Sequence, residues 1–179
     1  MRIETRRLYL RPFDDKDFDI IMQLYSDKEI MKYMPSPVMD HKMALLQLNQ
    51  NVANWEVKPQ IHYEMAVVEK ETNEKIGRAE ITRSYPEESA MIGWMLIKSA
   101  WGKGYATEVA QTLIDYCFHE LYVHRVYALC HPDNVASWKV MEKCGMRREA
   151  HYIQKCKYTK GDGVRWEDEL EYAAIRQVT

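Results

Sequence analysis

The chain opens on a short alternation. Leu8, Leu10 and Pro12 alternate with Tyr9, Arg11 and Phe13, which predicts a strand that Pro12 stops, because proline has no N–H to give a ladder. Phe18, Ile21, Met22 and Tyr25 then recur at helical spacing behind Asp14 or Asp15 as a cap. Pro35-Ser36-Pro37 breaks the chain, and Asp40 caps a second helix carrying Leu45, Leu46, Leu48, Val52 and Trp55. From Ile61 the period falls to two, predicting strands over 61–69, 75–83 and 89–97 joined by polar turns, an antiparallel meander. Beyond Gly104 the helical period returns, with Ala106, Val109, Ala110, Leu113, Cys117 and Leu121 on one face. A strand over 125–130, a helix over 134–143 stopped by Gly145, and strands over 148–158 and 164–175 complete the pattern. Lys160-Gly161-Asp162-Gly163 between the last two strands carries the Asp-Gly hairpin signal. The fold class is therefore α/β (α+β), with about 7 strands and about 4 helices. No repeat or linker divides it, so residues 1–179 are expected to form a single domain.

Composition narrows the class without naming an activity. Apolar residues at 46% and charged residues at 29% suit a folded globular protein and exclude disordered or collagenous chains. With 25 Lys+Arg against 27 Asp+Glu there is no global basic field, so neither nucleic acid nor a membrane surface is expected as a partner. No apolar run reaches the ~20 residues of a membrane span, and the first residues lack the apolar stretch of a signal peptide, which predicts a cytoplasmic protein. Cys117, Cys130, Cys144 and Cys156 are scattered, with no metal-ligand spacing, so reduced thiols and no metal are expected.

The chemistry is concentrated in two segments. In Trp94-Met95-Leu96-Ile97-Lys98-Ser99-Ala100-Trp101-Gly102-Lys103-Gly104-Tyr105-Ala106-Thr107-Glu108 a strand runs through a glycine-bearing loop into a helix start. Free N–H groups and the positive end of a helix dipole suit an anion there, and Gly102 and Gly104 let a phosphate approach with no Cβ in the way. The dipole alone contributes about 0.3–1 kcal/mol, so several N–H groups and Lys103 must share the work. The Walker loop is absent, since Lys103 is followed by glycine, and so is the dinucleotide fingerprint, whose third glycine is missing. The second segment, His131-Pro132-Asp133-Asn134-Val135-Ala136-Ser137, sets polar groups at a strand end and helix start. Asn134 and Ser137, three apart, share one side of a turn, although Asp133 or Asn134 can equally serve as a plain N-cap.

Together the segments resemble the GNAT superfamily of N-acetyltransferases, and more narrowly its RimJ/RimL-like branch. The similarity runs nearly end to end. It rests on the opening Ile3-Glu4-Thr5-Arg6-Arg7-Leu8-Tyr9-Leu10-Arg11-Pro12-Phe13, on Trp101 to Glu108, and on Asn134-Val135-Ala136-Ser137 with Val140 to Met146. The resemblance implies a mixed, mostly antiparallel sheet that splays after the fourth predicted strand, Met91 to Ile97, with acetyl-CoA as co-substrate in the gap. Pantetheine would pair with the backbone of Met95, Leu96 and Ile97, and the pyrophosphate would sit on Gly102, Lys103, Gly104, Tyr105, Ala106 and Thr107. Asn134 would bond the pantetheine arm, and Ser137 would lie near the thioester sulfur as hydrogen-bond donor or acid to the departing thiolate.

Two departures from the family pattern bear on the chemistry. Met91 stands where many relatives place a glutamate base, and Met141 where many place a tyrosine acid; neither methionine moves a proton. Glu80 on the neighbouring strand, acting through water, and His131 are the candidate bases. The expected reaction is direct attack of a primary amine on the thioester. At pH 7 a lysine amine near ~10.4 costs about 4–5 kcal/mol to deprotonate and an α-amine near ~8 about 1–1.5 kcal/mol, so a site without a close base leans toward α-amines or other low-pKa amines. Trp55, Trp94, Trp138 and Tyr152 are candidate pocket aromatics. The acceptor, a peptide N-terminus or a small-molecule amine, is left open. A non-catalytic acyl-CoA-binding module is the alternative reading.

Overall fold

The computed structural model describes residues 1–160 and 163–177. Its strands are β1 (Ile3–Glu4), β2 (Leu8–Pro12), β3 (His62–Glu69), β4 (Lys75–Ser84), β5 (Ser89–Leu96), β6 (Arg125–Cys130), β7 (Arg147–Lys160) and β8 (Gly163–Ile175). They form one sheet in the order β1-β2-β3-β4-β5-β6-β8-β7. Only the β5–β6 pair is parallel, every other neighbour being antiparallel. Four α-helices, α1 (Phe18–Ser26), α2 (His41–Ala53), α3 (Tyr105–His119) and α4 (Val135–Lys143), pack on this sheet. Among the described residues no helix is long and apolar enough to cross a membrane, and no cluster of side chains could hold a metal.

The architecture is the α/β one that the pattern predicts, with one strand more. β1 is too short to show an alternation, yet Ile3 and Glu4 pair with Leu10 and Tyr9. The α1 region begins with a single 3-10 turn, Asp15–Asp17, which Asp14 caps through the Lys16 N–H. Asp40 caps α2 by accepting from the Met43 N–H, as expected. Gly161 and Asp162, the two central residues of the expected Lys160 to Gly163 turn, lie outside the described residues, although β7 and β8 pair as far as Lys160 and Gly163.

Two local features position the site. β3 does not alternate in burial. Residues 63 to 68 are all buried: Tyr63 packs on Tyr116 of α3, and Glu64 meets Arg78, itself bonded to Tyr25 of α1, so Glu64 is taken into the interior with its neighbours. At the other end, Gly145 (φ +77°) closes α4: the Gly145 and Met146 N–H groups donate to the Glu142 and Met141 carbonyls, a Schellman turn that fixes Met141 inside.

Candidate functional site

β5 and β6 run together for three residues and then part. Ser89, Ala90 and Met91 pair with Arg125, Val126 and Tyr127, but from Ile92 onward β5 has no partner on that side. The gap opens into a cavity of about 220 Å³. Its walls are Ile92 to Met95 of β5, Ala128 to Cys130 of β6, Asn134, Ser137 and Met141 of α4, and Arg78 and Glu80 of β4. Tyr33, Met34, Pro35, Tyr158 and Glu169 close the far end.

The register decides which backbone groups face this gap. Ile97 N–H donates to Ile76 C=O (2.9 Å) and Ile97 C=O accepts from Ala100 N–H (3.0 Å), so both its groups are used internally. Antiparallel bonding alternates, and the 76–97 pair therefore turns Met95 toward β4 as well. Trp94 and Leu96 are the residues directed to the open side, and the Leu96 carbonyl already accepts from the Trp101 indole (2.8 Å). Of Met95, Leu96 and Ile97, then, Leu96 presents its N–H to the gap, and Trp94, not foreseen, presents both groups. The signal for Trp94 lay in the two-residue period, but choosing between odd and even positions required the pairing with β4.

The glycine loop has the shape that an anion needs. A 3-10 turn, Lys98–Ala100, leads into Gly102 (φ +72°) and Gly104 (φ +79°), both left-handed, where a side chain would be strained. Gly104 is the N-cap of α3 and brings no side-chain cap, so the first N–H groups of this helix are not consumed by one. Gly102, Lys103 and Gly104 are exposed, Tyr105 is buried, and Ala106 and Thr107 are half-buried. A carboxylate, Glu108, also stands in this first turn.

At the start of α4, Asn134 is the N-cap: its Oδ1 accepts from the Ser137 N–H (3.3 Å), which leaves its Nδ2 donor for another partner. The plain capping role and a ligand role are thus compatible, one on each end of the amide. Among the described residues the Ser137 hydroxyl has no protein partner, and it lines the cavity. His131 is nearby, but its Nδ1 accepts from the Asp133 N–H (3.1 Å), which places the ring proton on Nε2, 3.8 Å from Glu167 Oε2. Its ring stacks on Tyr33 (5.4 Å between centroids) and meets Tyr158 edge-on (5.9 Å).

The family model for the acetyltransferase (GNAT) domain matches residues 7–147 of the chain. The chain belongs to the GNAT acetyltransferase family. An uncharacterized N-acetyltransferase of Bacillus subtilis, YnaD, is 34% identical over 177 residues, covering 99% of this chain and 98% of that one. A GNAT-family acetyltransferase of Bacillus anthracis has a structure similar at a TM-score of 0.84, with 32% identity and 98% coverage of each chain. RimL, an α-N-acetyltransferase of ribosomal L7/L12 solved with coenzyme A, superposes at a TM-score of 0.83 over 98% of each chain, with 19% identity. The GNAT fold uses acetyl-CoA, and the protein is an acyltransferase of this family. The residues fit such a co-substrate. An uncapped helix start with two left-handed glycines suits its phosphates, and an unpaired strand edge suits its amides.

In this GNAT protein the cavity wall contributed by β4 holds a charge network that the sequence showed only in part. Glu64 and Glu80 are direct cross-strand neighbours on β3 and β4, an arrangement that costs stability unless a cation intervenes. Arg78 intervenes. Its Nη2 donates to Glu64 Oε2 (2.8 Å) and to Glu80 Oε2, and its Nη1 to the Tyr25 hydroxyl (2.5 Å). Burial works against the Arg78 charge, yet Tyr25, Glu80 and Glu64 hold its pKa well above the usual value. Burial pushes the Glu64 carboxyl up, with Arg78 opposing. Glu80 faces the cavity, and a Cβ at Gly93 would come within 2.5 Å of its Oε1, so the glycine of Ile92-Gly93-Trp94 makes room for this carboxylate. Met91 and Met141 line the same cavity as apolar wall.

The aromatics divide differently from the sequence expectation. Trp94 lines the cavity, whereas the Trp55 indole donates to Glu64 C=O (2.8 Å) and the Trp138 indole to Pro132 C=O (3.2 Å). Tyr152 donates to Glu171 (3.0 Å). The pocket tyrosines are Tyr33, on a 3-10 turn with no sequence signature, and Tyr158, whose hydroxyl donates to Tyr33 C=O (2.8 Å).

Proposed function

We propose that the protein is a cytoplasmic, acetyl-CoA-dependent N-acetyltransferase that moves the acetyl group to a primary amine by direct attack in a ternary complex. The observation that carries this reading is the convergence of Asn134 and Ser137 from α4 with Glu80 from β4 on one cavity, at the point where β5 and β6 part. Bound there, acetyl-CoA supplies the activated acyl group. The Gly102 to Thr107 turn takes the pyrophosphate with Lys103, the Trp94 and Leu96 backbone takes the pantetheine amides, and Asn134 Nδ2 donates to the same arm. Holding amine and thioester together supplies a large part of the acceleration.

Two proton movements remain. The amine must lose a proton, and Glu80 accepts it through a water, its orientation fixed by Arg78 on one oxygen while Oε1 stays on the Gly93 side. The thiolate must be met, and the Ser137 hydroxyl donates to it as hydrogen-bond donor or relay. His131 is the weaker base candidate because its Nδ1 is already bonded, and its packing between Tyr33 and Tyr158 supports a role in shaping the acceptor wall. With a carboxylate in the cavity the lean toward α-amines is reduced, and peptide α-amines and small-molecule amines both remain within the proposal.

The test is release of CoA thiol from acetyl-CoA with a panel of peptides, amino acids, polyamines and aminoglycosides. Turnover with any of them is expected. CoA binding without release above background across the panel would favour the non-catalytic acyl-CoA-binding module instead.

A further inference from the structure

The opening segment of the chain has no part in the chemistry described so far, yet it ends against the glycine loop. Thr5 and Arg7 sit in the turn between β1 and β2 and reach α3 about a hundred residues later. The Thr5 hydroxyl bonds Glu108, the Arg7 backbone N–H donates to Glu108 Oε1 (2.8 Å), and Arg7 Nε donates to Glu108 Oε2 (2.8 Å). Arg7 Nη1 donates to the Lys103 carbonyl (2.9 Å), its guanidinium lies over the Tyr105 ring (4.3 Å), and its Nη2 is 3.5 Å from where a Cβ on Gly104 would stand. The cation thus bonds Lys103 and Glu108, lies over Tyr105 and borders the space beside Gly104, all in the turn read as phosphate-binding.

Glu108 makes this arrangement informative. A carboxylate in the first turn favours the helix dipole but repels an anionic ligand at the same place. Burial works against the Glu108 charge, but the Thr5 hydroxyl and the Arg7 N–H and guanidinium hold its pKa below the usual carboxylate value, so it is ionised at neutral pH. A carboxylate there is tolerable for pyrophosphate only if a cation is fixed on it. We infer that Arg7 is a positioning residue for the co-substrate: it neutralises Glu108, turns the Lys103 carbonyl away from the anion and holds the Gly104 turn in its left-handed shape. Glu108 is the fastener that brings Arg7 there. This rests on the reading of the loop as the CoA pyrophosphate site.

The test is calorimetric titration of CoA into the wild type, Arg7→Gln, Arg7→Lys and the double variant Arg7→Gln/Glu108→Gln, at low and at raised ionic strength. The expected result is a loss of roughly tenfold or more in CoA affinity for Arg7→Gln, a smaller loss for Arg7→Lys, which keeps the charge but not the fork, and partial recovery in the double variant. Loss of the cation should also flatten the salt dependence. Unchanged affinity in Arg7→Gln overturns the inference. So does a double variant no tighter than the single one, which makes Arg7 a structural clasp only. Should Arg7→Gln fail to fold by circular dichroism, wild-type affinity in folded Arg7→Lys overturns the role of the guanidinium in spanning Glu108 and the Lys103 carbonyl, and weakened binding supports it. A wild type that does not bind CoA removes the underlying reading itself, an outcome that the variants cannot mimic.

Discussion

The two sides of the cavity are built by different means. The side proposed for the cofactor is contiguous backbone: a strand end, a glycine turn and a helix start within residues 94–108, and a second helix start within 131–137. The side proposed for the acceptor is a meeting of side chains from distant elements, Tyr33 of a 3-10 turn, Arg78 and Glu80 of β4, and Tyr158 and Glu169 of the terminal hairpin, with Tyr25 of α1 and Glu64 of β3 behind Arg78. On the proposed reading, main-chain geometry serves the co-substrate that the GNAT fold uses. Side-chain geometry serves an acceptor that can differ, since replacing a side chain leaves the backbone of the cofactor side intact.

On this division, variants separate binding from turnover. The largest effect is expected for Gly104→Val. A β-branched residue at φ +79° is strained, and its Cβ enters contact with the Arg7 guanidinium, so CoA affinity should fall roughly 100-fold or more by calorimetry. Glu80→Gln is the counterpart on the other side: kcat should fall by ~100-fold with CoA affinity unchanged, as general-base contributions run to that order. A comparable loss of CoA binding in Glu80→Gln would break the division. Ser137→Ala lies on the boundary. Loss of one hydrogen bond to a developing thiolate, about 1.5 kcal/mol, should lower kcat about tenfold, and an equal loss of affinity would assign Ser137 to binding alone.

Legibility in the sequence follows the same division. Gly102, Gly104, Asn134 and Ser137 were readable because a left-handed turn and a helix cap are local events that residue type reports directly. Trp94 is legible as a pocket aromatic but its backbone role is not, because strand periodicity gives two faces without saying which backbone groups a neighbouring strand uses; the Ile97 to Ile76 bond settles that. Glu80 was readable as a carboxylate on the right strand, but its partner was not. Nothing in the spacing of Glu64 and Arg78 signals that β3 and β4 bring them together in the interior. Arg7 and Glu108 are 101 positions apart, so no local pattern could join them.

The parting of β5 and β6 also has a thermodynamic consequence. An interior strand edge with unanswered N–H and C=O groups is a weak seam, and a ligand that answers them binds the native state and not the unfolded chain. Linkage then makes the conformational stability of this enzyme a function of free CoA. At a hundred times its dissociation constant the ligand adds about 2.7 kcal/mol, and for a chain of this size each kcal/mol raises the melting temperature by roughly 2–4 °C. A melting temperature that climbs steadily with CoA concentration is the expected observation, and one that stays flat would mean that CoA does not bind the native state. On the proposed reading, the gap between β5 and β6 thus ties the melting temperature of the enzyme to the supply of CoA.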